Sequence, residues 1–85
     1  MKQITDITKL RRGMVLVIKF LDEDGIPDGT EWLEEVKWVD YNNGCYTFNI
    51  HLGENWMSGK YPTYFDTNNY IYYKLEDEEL VGLMI

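Results

Sequence analysis

The chain has 85 residues, 45% of them hydrophobic and 15% aromatic, which suits one small domain with a limited core and excludes a disordered chain. The net charge is −7 and unevenly spread: residues 1–20 hold five basic and one acidic side chain, residues 21–85 three basic and fourteen acidic. Most of the chain therefore repels phosphate backbones, and direct binding of nucleic acid is not expected.

Residues 1–13 read as polar and turn-like, ending in Leu10–Arg11–Arg12–Gly13. Met14–Leu21 is rich in β-branched and aromatic residues and predicts a central strand, partly buried on both faces. Asp22–Thr30 holds two glycines, a proline and four acids, and predicts a loop.

Glu31–Asp40 admits two readings. Trp32, Leu33, Val36 and Val39 fit helical spacing, with Asp28 and Glu31 as a capping box. The alternative is a strand paired with 45–52, and register favours it. A three-residue loop of Asn42, Asn43 and Gly44, with Gly44 left-handed, sets Trp38 opposite Phe48 and Val36 opposite Ile50. A two-residue loop would set them opposite Asn49 and His51 instead, with the apolar faces out of step. Residues 34–41 are expected to be strand.

Cys45–Leu52 alternates strictly. Tyr46, Phe48, Ile50 and Leu52 share one face, and Cys45, Thr47, Asn49 and His51 the other. Gly53–Lys60 reads as a loop carrying Trp56 and Met57. Tyr61–Phe65 predicts a short edge strand, because Pro62 is tolerated at edges. Asp66–Asn69 is a turn, and Tyr70–Leu75 a strand. Glu76–Glu79 is an acidic connector, either a tight loop or one helical turn. Leu80–Ile85 predicts a last apolar strand, paired inside the sheet.

The fold class is therefore mainly β: a small antiparallel barrel or rolled sheet of five to six short strands, with at most one short helical segment. The polar lead ending in Leu10–Arg11–Arg12–Gly13 before an apolar strand resembles the opening of SH3-like barrels. That resemblance implies an architecture and no activity.

No catalytic centre is expected. Cys45 and His51 share a strand face, but six residues at about 3.3 Å each separate them by roughly 20 Å, too far for a nucleophile and its base. No metal or cofactor is expected either. Asp22, Glu23, Asp24 and Asp28 invite a calcium reading, yet Gly25 falls at the fourth position, whereas the EF-hand loop needs glycine at the sixth.

The residues expected to meet a partner are acidic and aromatic. They are Asp22, Glu23, Asp24, Asp28, Glu31, Glu34 and Glu35, then Trp56, Tyr70 and Tyr72, then Glu76, Asp77, Glu78 and Glu79. If sheet closure brings the two acidic segments together, they form one strong negative field. Tyr and Trp beyond the needs of so small a core supply interface anchors, and beside carboxylates they accept Lys or Arg through cation–π contact. The expected partner is thus a protein with a basic surface. In size, charge and aromatic content the chain is similar to small acidic proteins of phages and mobile elements that imitate nucleic acid. A peptide- or small-ligand-binding barrel is the alternative. One cysteine forms no internal disulfide, the start carries no apolar stretch of signal-peptide type, and Met14–Leu21 is too short to span a bilayer. A cytoplasmic protein without membrane association is expected, with monomer and homodimer both open.

Overall fold

Valine, leucine and isoleucine in unbroken succession build the strand at the centre of the sheet. The structure, a computed structural model, describes residues 1–52, 55–59 and 61–83. Its elements are β1 (Lys2–Ile4), a 3-10 turn (Ile7–Lys9), β2 (Val15–Leu21), β3 (Pro27–Asp40), β4 (Cys45–Leu52), β5 (Asn55–Ser58), β6 (Thr63–Tyr64), β7 (Tyr70–Lys74) and α1 (Asp77–Leu83). The strands form one antiparallel sheet in the order β1-β7-β2-β3-β4-β5, with β6 also beside β4.

β2 lies between β3 and β7, and Val15, Leu16, Val17 and Ile18 are all buried. Alternation sends Leu16 and Ile18 to one face, where they pack with Ile4, Leu10, Val36, Tyr46 and Tyr72. Val15 and Val17 face the other way, joining Leu75, Leu33, Tyr73 and Leu80 of α1. The expectation of a strand buried on both faces holds, because the sheet curls over one face and a helix covers part of the other.

The curl is measurable. Tyr46 of β4 and Tyr72 of β7 have ring centroids 6.4 Å apart. A flat sheet would hold them roughly 14 Å apart, three inter-strand steps of about 4.8 Å. Among the described residues β1 and β5 remain unpaired with one another, so the sheet is rolled but not closed. The mainly antiparallel β fold with one short helix is as expected. Of the two forms expected, the rolled sheet is present and the closed barrel is not; among the described residues the sheet has seven strands, where five to six were predicted.

Several boundaries differ from expectation. β1 arises within the segment read as turn-like, pairing Ile4 with Tyr72. β3 starts at Pro27, inside the predicted loop. Phe20 faces a bulge there, between the pairs Lys19–Glu31 and Leu21–Pro27. Gly29 has φ +91°, which suits glycine, and it lets the strand absorb the extra residues. β5 likewise lies within the predicted Gly53–Lys60 loop, of which Gly53, Glu54 and Lys60 lie outside the described residues. Leu80 belongs to a helix rather than a last strand. The acids Asp77, Glu78 and Glu79 occupy its first turn, where the helix dipole favours negative charge. Met84 and Ile85 of that expected strand lie outside the described residues.

The β3–β4 hairpin is a strand pair, as register argued, but neither predicted register is present. Asp40 pairs with Cys45, Val39 with Tyr46 and Trp38 with Thr47; Val36 then pairs with Phe48 and Glu34 with Ile50. Lys37 is the extra residue of a bulge. It keeps Val36 and Val39 on the core side together and turns Trp38 outward, to 56% exposure. Gly44 closes the turn at φ +68°, as its predicted left-handed position requires.

Two turns share one device. In Asp40–Tyr41–Asn42–Asn43 the Asn43 side-chain amide donates to Asp40 at 2.7 Å, and in Asp66–Thr67–Asn68–Asn69 the Asn69 amide donates to Asp66 at 2.6 Å. Backbone N–H groups of Asn43 and Asn68 add further bonds to the same carboxylates. These bonds hold both carboxyls below the ordinary aspartate value of 3.8. Such groups contribute stability that is present above the unfolded value and lost as pH falls through the folded one.

Replacing Leu16 by Ala should cost about 2–5 kcal/mol in urea unfolding, while Trp38→Ala should change stability by no more than about 0.5 kcal/mol. A Trp38 effect as large as that of Leu16 would contradict the outward bulge. The Asp40→Asn, Asp66→Asn double variant should be less stable at neutral pH, and its melting temperature should fall less steeply below pH 3.8 than that of the parent.

Candidate functional site

A cleft of about 170 Å³ opens on the curled face of the sheet, lined by Ile18, Trp32, Glu34, Tyr46, Phe48, Thr63, Tyr70 and Tyr72. The curl makes it, because β2, β3, β4 and β7 each send alternate residues into the same concave space. β6 contributes Thr63 through its pairing with the first residues of β4. Phe20 braces the wall, meeting Trp32 and Tyr70 edge-on with ring centroids 4.9 Å away in each case. Phe65 stacks on Tyr72 at 4.2 Å from behind.

Glu34 lies within this aromatic wall and is only 2% exposed. Its register position explains why. Trp32, Glu34 and Val36 are alternate residues of β3, opposite Ile18, Leu16 and Phe48 on the neighbouring strands. The indole Nε1–H of Trp32 donates to Glu34 Oε2 at 2.7 Å, and the Tyr46 hydroxyl donates to Oε1 at 2.5 Å. Burial pushes the Glu34 carboxyl above its ordinary value, and the two hydrogen bonds offset only part of that rise. Burial also raises the Tyr46 hydroxyl, with the Glu34 charge beside it adding to the effect. Tyr72 is pushed up to about 12, first by burial, against the opposing hydrogen bond that its oxygen accepts from the Asp66 N–H.

Two of the residues expected at an exposed interface are therefore interior. Glu34 is buried because the strand alternation places it on the apolar face, and Tyr72, at 1% exposure, because the 63–69 segment folds over it. Tyr70 is half-buried and lines the cleft. Asp22, Glu23, Asp24 and Asp28 are exposed around the β2–β3 hairpin, and Trp32, 38% exposed, reaches the surface on the cleft face. Glu31, also exposed, alternates to the opposite face and pairs with Lys19 at 4.0 Å. Asp22 also shapes that hairpin, accepting from the N–H groups of Asp24 and Ile26, each at 2.9 Å.

The acids of the β2–β3 hairpin and those of 76–79 do not merge, although Glu35, the last of the first segment, pairs with Val15 near α1. The hairpin end of the sheet is marked by the Leu21 N–H bonded to the Asn69 oxygen, the opposite end by the Leu75 N–H bonded to the Val15 oxygen. From Val15 to Leu21 is roughly 20 Å at about 3.3 Å per residue. Glu76, Asp77, Glu78 and Glu79 lie at the far end, where Glu79 accepts from the Glu76 N–H at 3.0 Å and pairs with the terminal amino group at 3.1 Å. Antiparallel pairing of β7 with β2 dictates this separation, and the single negative field expected from sheet closure is absent.

Glu35 and Trp56 belong to the other face. Glu35 accepts from the Asn49 side-chain amide at 2.9 Å, and Trp56 packs on His51 with ring centroids 4.9 Å apart. Both line a groove of about 320 Å³ with Val15, Leu33 and Leu80. Cys45 and His51 lie near opposite ends of β4, as the strand geometry required. Among the described residues no helix is long and apolar enough to cross a membrane.

Sequence reasoning missed Ile18, Trp32, Tyr46, Phe48 and Thr63 as cleft residues. The available signal was a lone acid, Glu34, in the otherwise apolar set Trp32, Val36 and Val39. A carboxylate in such a set needs hydrogen-bond donors from across the strand.

Glu34 holds its proton more tightly in the folded chain than at the ordinary glutamate value of 4.5. The stability linked to that proton is full below pH 4.5 and is lost as pH rises through the raised value. Glu34→Gln should remove this loss, so the variant's melting temperature should gain on the parent's as pH rises from 4.5 towards neutrality. Parallel melting profiles would show that Glu34 is not destabilised by its surroundings.

No family model, no curated protein and no solved structure matches the chain.

Proposed function

We propose that the chain is a non-enzymatic interaction module that docks on a basic protein surface through the β2–β3 hairpin end of its sheet. The observation that carries this reading is the grouping of Asp22, Glu23, Asp24 and Asp28 around one exposed hairpin, at the end of the sheet where Trp32 and Tyr70 line the aromatic cleft, with Glu31 nearby but paired with Lys19. Four carboxylates on one protrusion steer a positively charged partner and speed its encounter. Trp32 and Tyr70 then offer flat, partly apolar contact area of the kind that anchors protein interfaces. Glu76–Glu79 lies outside this site. One acidic residue lines the cleft, and general acid–base chemistry with two carboxylates has no second member there among the described residues. A partner whose basic surface ordinarily holds nucleic acid suits the hairpin, in keeping with the phage-type imitation considered from composition, and the setting is cytoplasmic.

The second reading, a peptide- or small-ligand-binding module, is favoured by the groove beside Trp56. Its mixed lining of Val15, Leu33, Trp56 and Leu80 with Glu35 and His51 suits an apolar guest with a polar end.

Binding of a lysine-rich peptide to the immobilised chain separates the two. Affinity should fall at least about tenfold between about 50 mM and about 300 mM salt. The triple variant Asp22→Lys, Glu23→Lys, Asp24→Lys should lose the interaction, and Asp77→Lys with Glu78→Lys should leave it within about twofold, since charges roughly 20 Å away are screened beyond the Debye length. Salt-insensitive binding, or equal losses from the hairpin and helix variants, would overturn the hairpin reading.

A further inference from the structure

We propose that the Glu34 cleft receives the ammonium group of a single lysine side chain presented by the partner. The proposal takes its source of lysine from the docking reading above, and its chemistry from the cleft alone.

Size comes first. Sites for drug-sized ligands occupy about 300–1,000 Å³. The cleft, at about 170 Å³, has room for one side chain and none for a cofactor. Its lining is the second observation. Trp32, Tyr46, Phe48, Tyr70 and Tyr72 surround it, and aromatic faces carry the negative part of the ring quadrupole, which attracts cations. An unbranched alkyl stem lies well against such rings while its charged head advances.

The third observation is Glu34 itself. A carboxylate 2% exposed is costly unless a cation or several donors accompany it. Trp32 and Tyr46 supply two donors, and among the described residues no lysine or arginine pairs with Glu34. A cation from outside would complete the set. The rise of the carboxyl above its ordinary value has the same origin, an ionised form that lacks compensation.

The two existing bonds also choose between cations. The Trp32 indole occupies one oxygen of Glu34 and the Tyr46 hydroxyl the other, so each oxygen keeps only part of its acceptor capacity. A guanidinium fork wants both oxygens along one open edge. An ammonium is a compact point donor and needs a single free direction.

The test is an NMR titration with n-butylammonium, the end of a lysine side chain, read at the Trp32 indole N–H with the Trp56 indole as internal control. Saturable movement of Trp32 without Trp56 is expected, at least about tenfold tighter than for n-butanol, which matches it in shape without charge. Glu34→Gln should weaken butylammonium by at least about tenfold, and the hairpin triple variant should leave it within about threefold. Equal binding of n-butanol, tighter binding of n-propylguanidinium, or no saturation would overturn the assignment. If Glu34→Gln does not fold, the comparison of butylammonium with butanol on the parent chain decides alone. Loss of the butylammonium response with peptide docking intact removes the cleft proposal and spares the hairpin. A hairpin that fails its charge reversal while butylammonium still binds does the opposite.

Discussion

The arrangement around Glu34 is the constraint on which the cleft depends. An ionised carboxylate withdrawn from water loses several kcal/mol of hydration, and donors at fixed positions offset part of that loss. Trp32 and Tyr46 supply them from β3 and β4. Each of those side chains is therefore tied to one rotamer, and the rings next to them inherit the order. Phe20 abuts Trp32, and Tyr46 lies beside both Phe48 and Tyr72. A polar pair at the centre of an aromatic wall thus fixes the orientation of a surface that apolar packing alone would leave more adaptable.

The rest of the sheet serves that wall. β2 is buried on both sides, which gives the curl a stiff spine: Leu16 and Ile18 support the concave face while Val15 and Val17 anchor α1 from the convex one. The bulge at Lys37 performs a second task. It restores Val39 to the interior after Val36 and leaves Trp38 outside, so the strand can bend without a gap in its core contacts. The Asp–x–Asn–Asn turns at 40–43 and 66–69 hold the ends of β3 and β7, the two strands that flank β2.

Much of this was legible in the residues, and the misses share a cause. β2, the hairpin between β3 and β4, the Asp66–Asn69 turn and β7 follow from local chemistry: β-branched runs, a left-handed glycine, alternation. Bulges do not, because an extra residue leaves no mark in the pattern; a turn one residue longer than predicted moved Trp38 opposite Thr47, and the bulge then moved Val36 opposite Phe48 and hid the true face of Trp38. Leu80 was read as strand because a short apolar run has no period of its own, and the acids before it, good helix starters, carried the better signal. β1 and β5 are short strands whose partners lie elsewhere in the sheet or across a turn, so their own composition is uninformative. In the candidate site, the charge of the hairpin was readable. The burial of Glu34 and Tyr72 was not, since it depends on how the sheet curls and on the segment that folds over Tyr72.

The curl has a temporal consequence. The walls of the cleft come from positions 18 to 72, and Tyr72 belongs to the last strand of the sheet. Pairing of β7 with β2 joins residues fifty or more positions apart, a contact of the slow, non-local kind. An amino-terminal fragment that ends before Tyr70 lacks the wall that Tyr70 and Tyr72 supply, although it already holds the acidic hairpin. The cleft is thus among the later features to form, because its last wall arrives only when β7 pairs with β2.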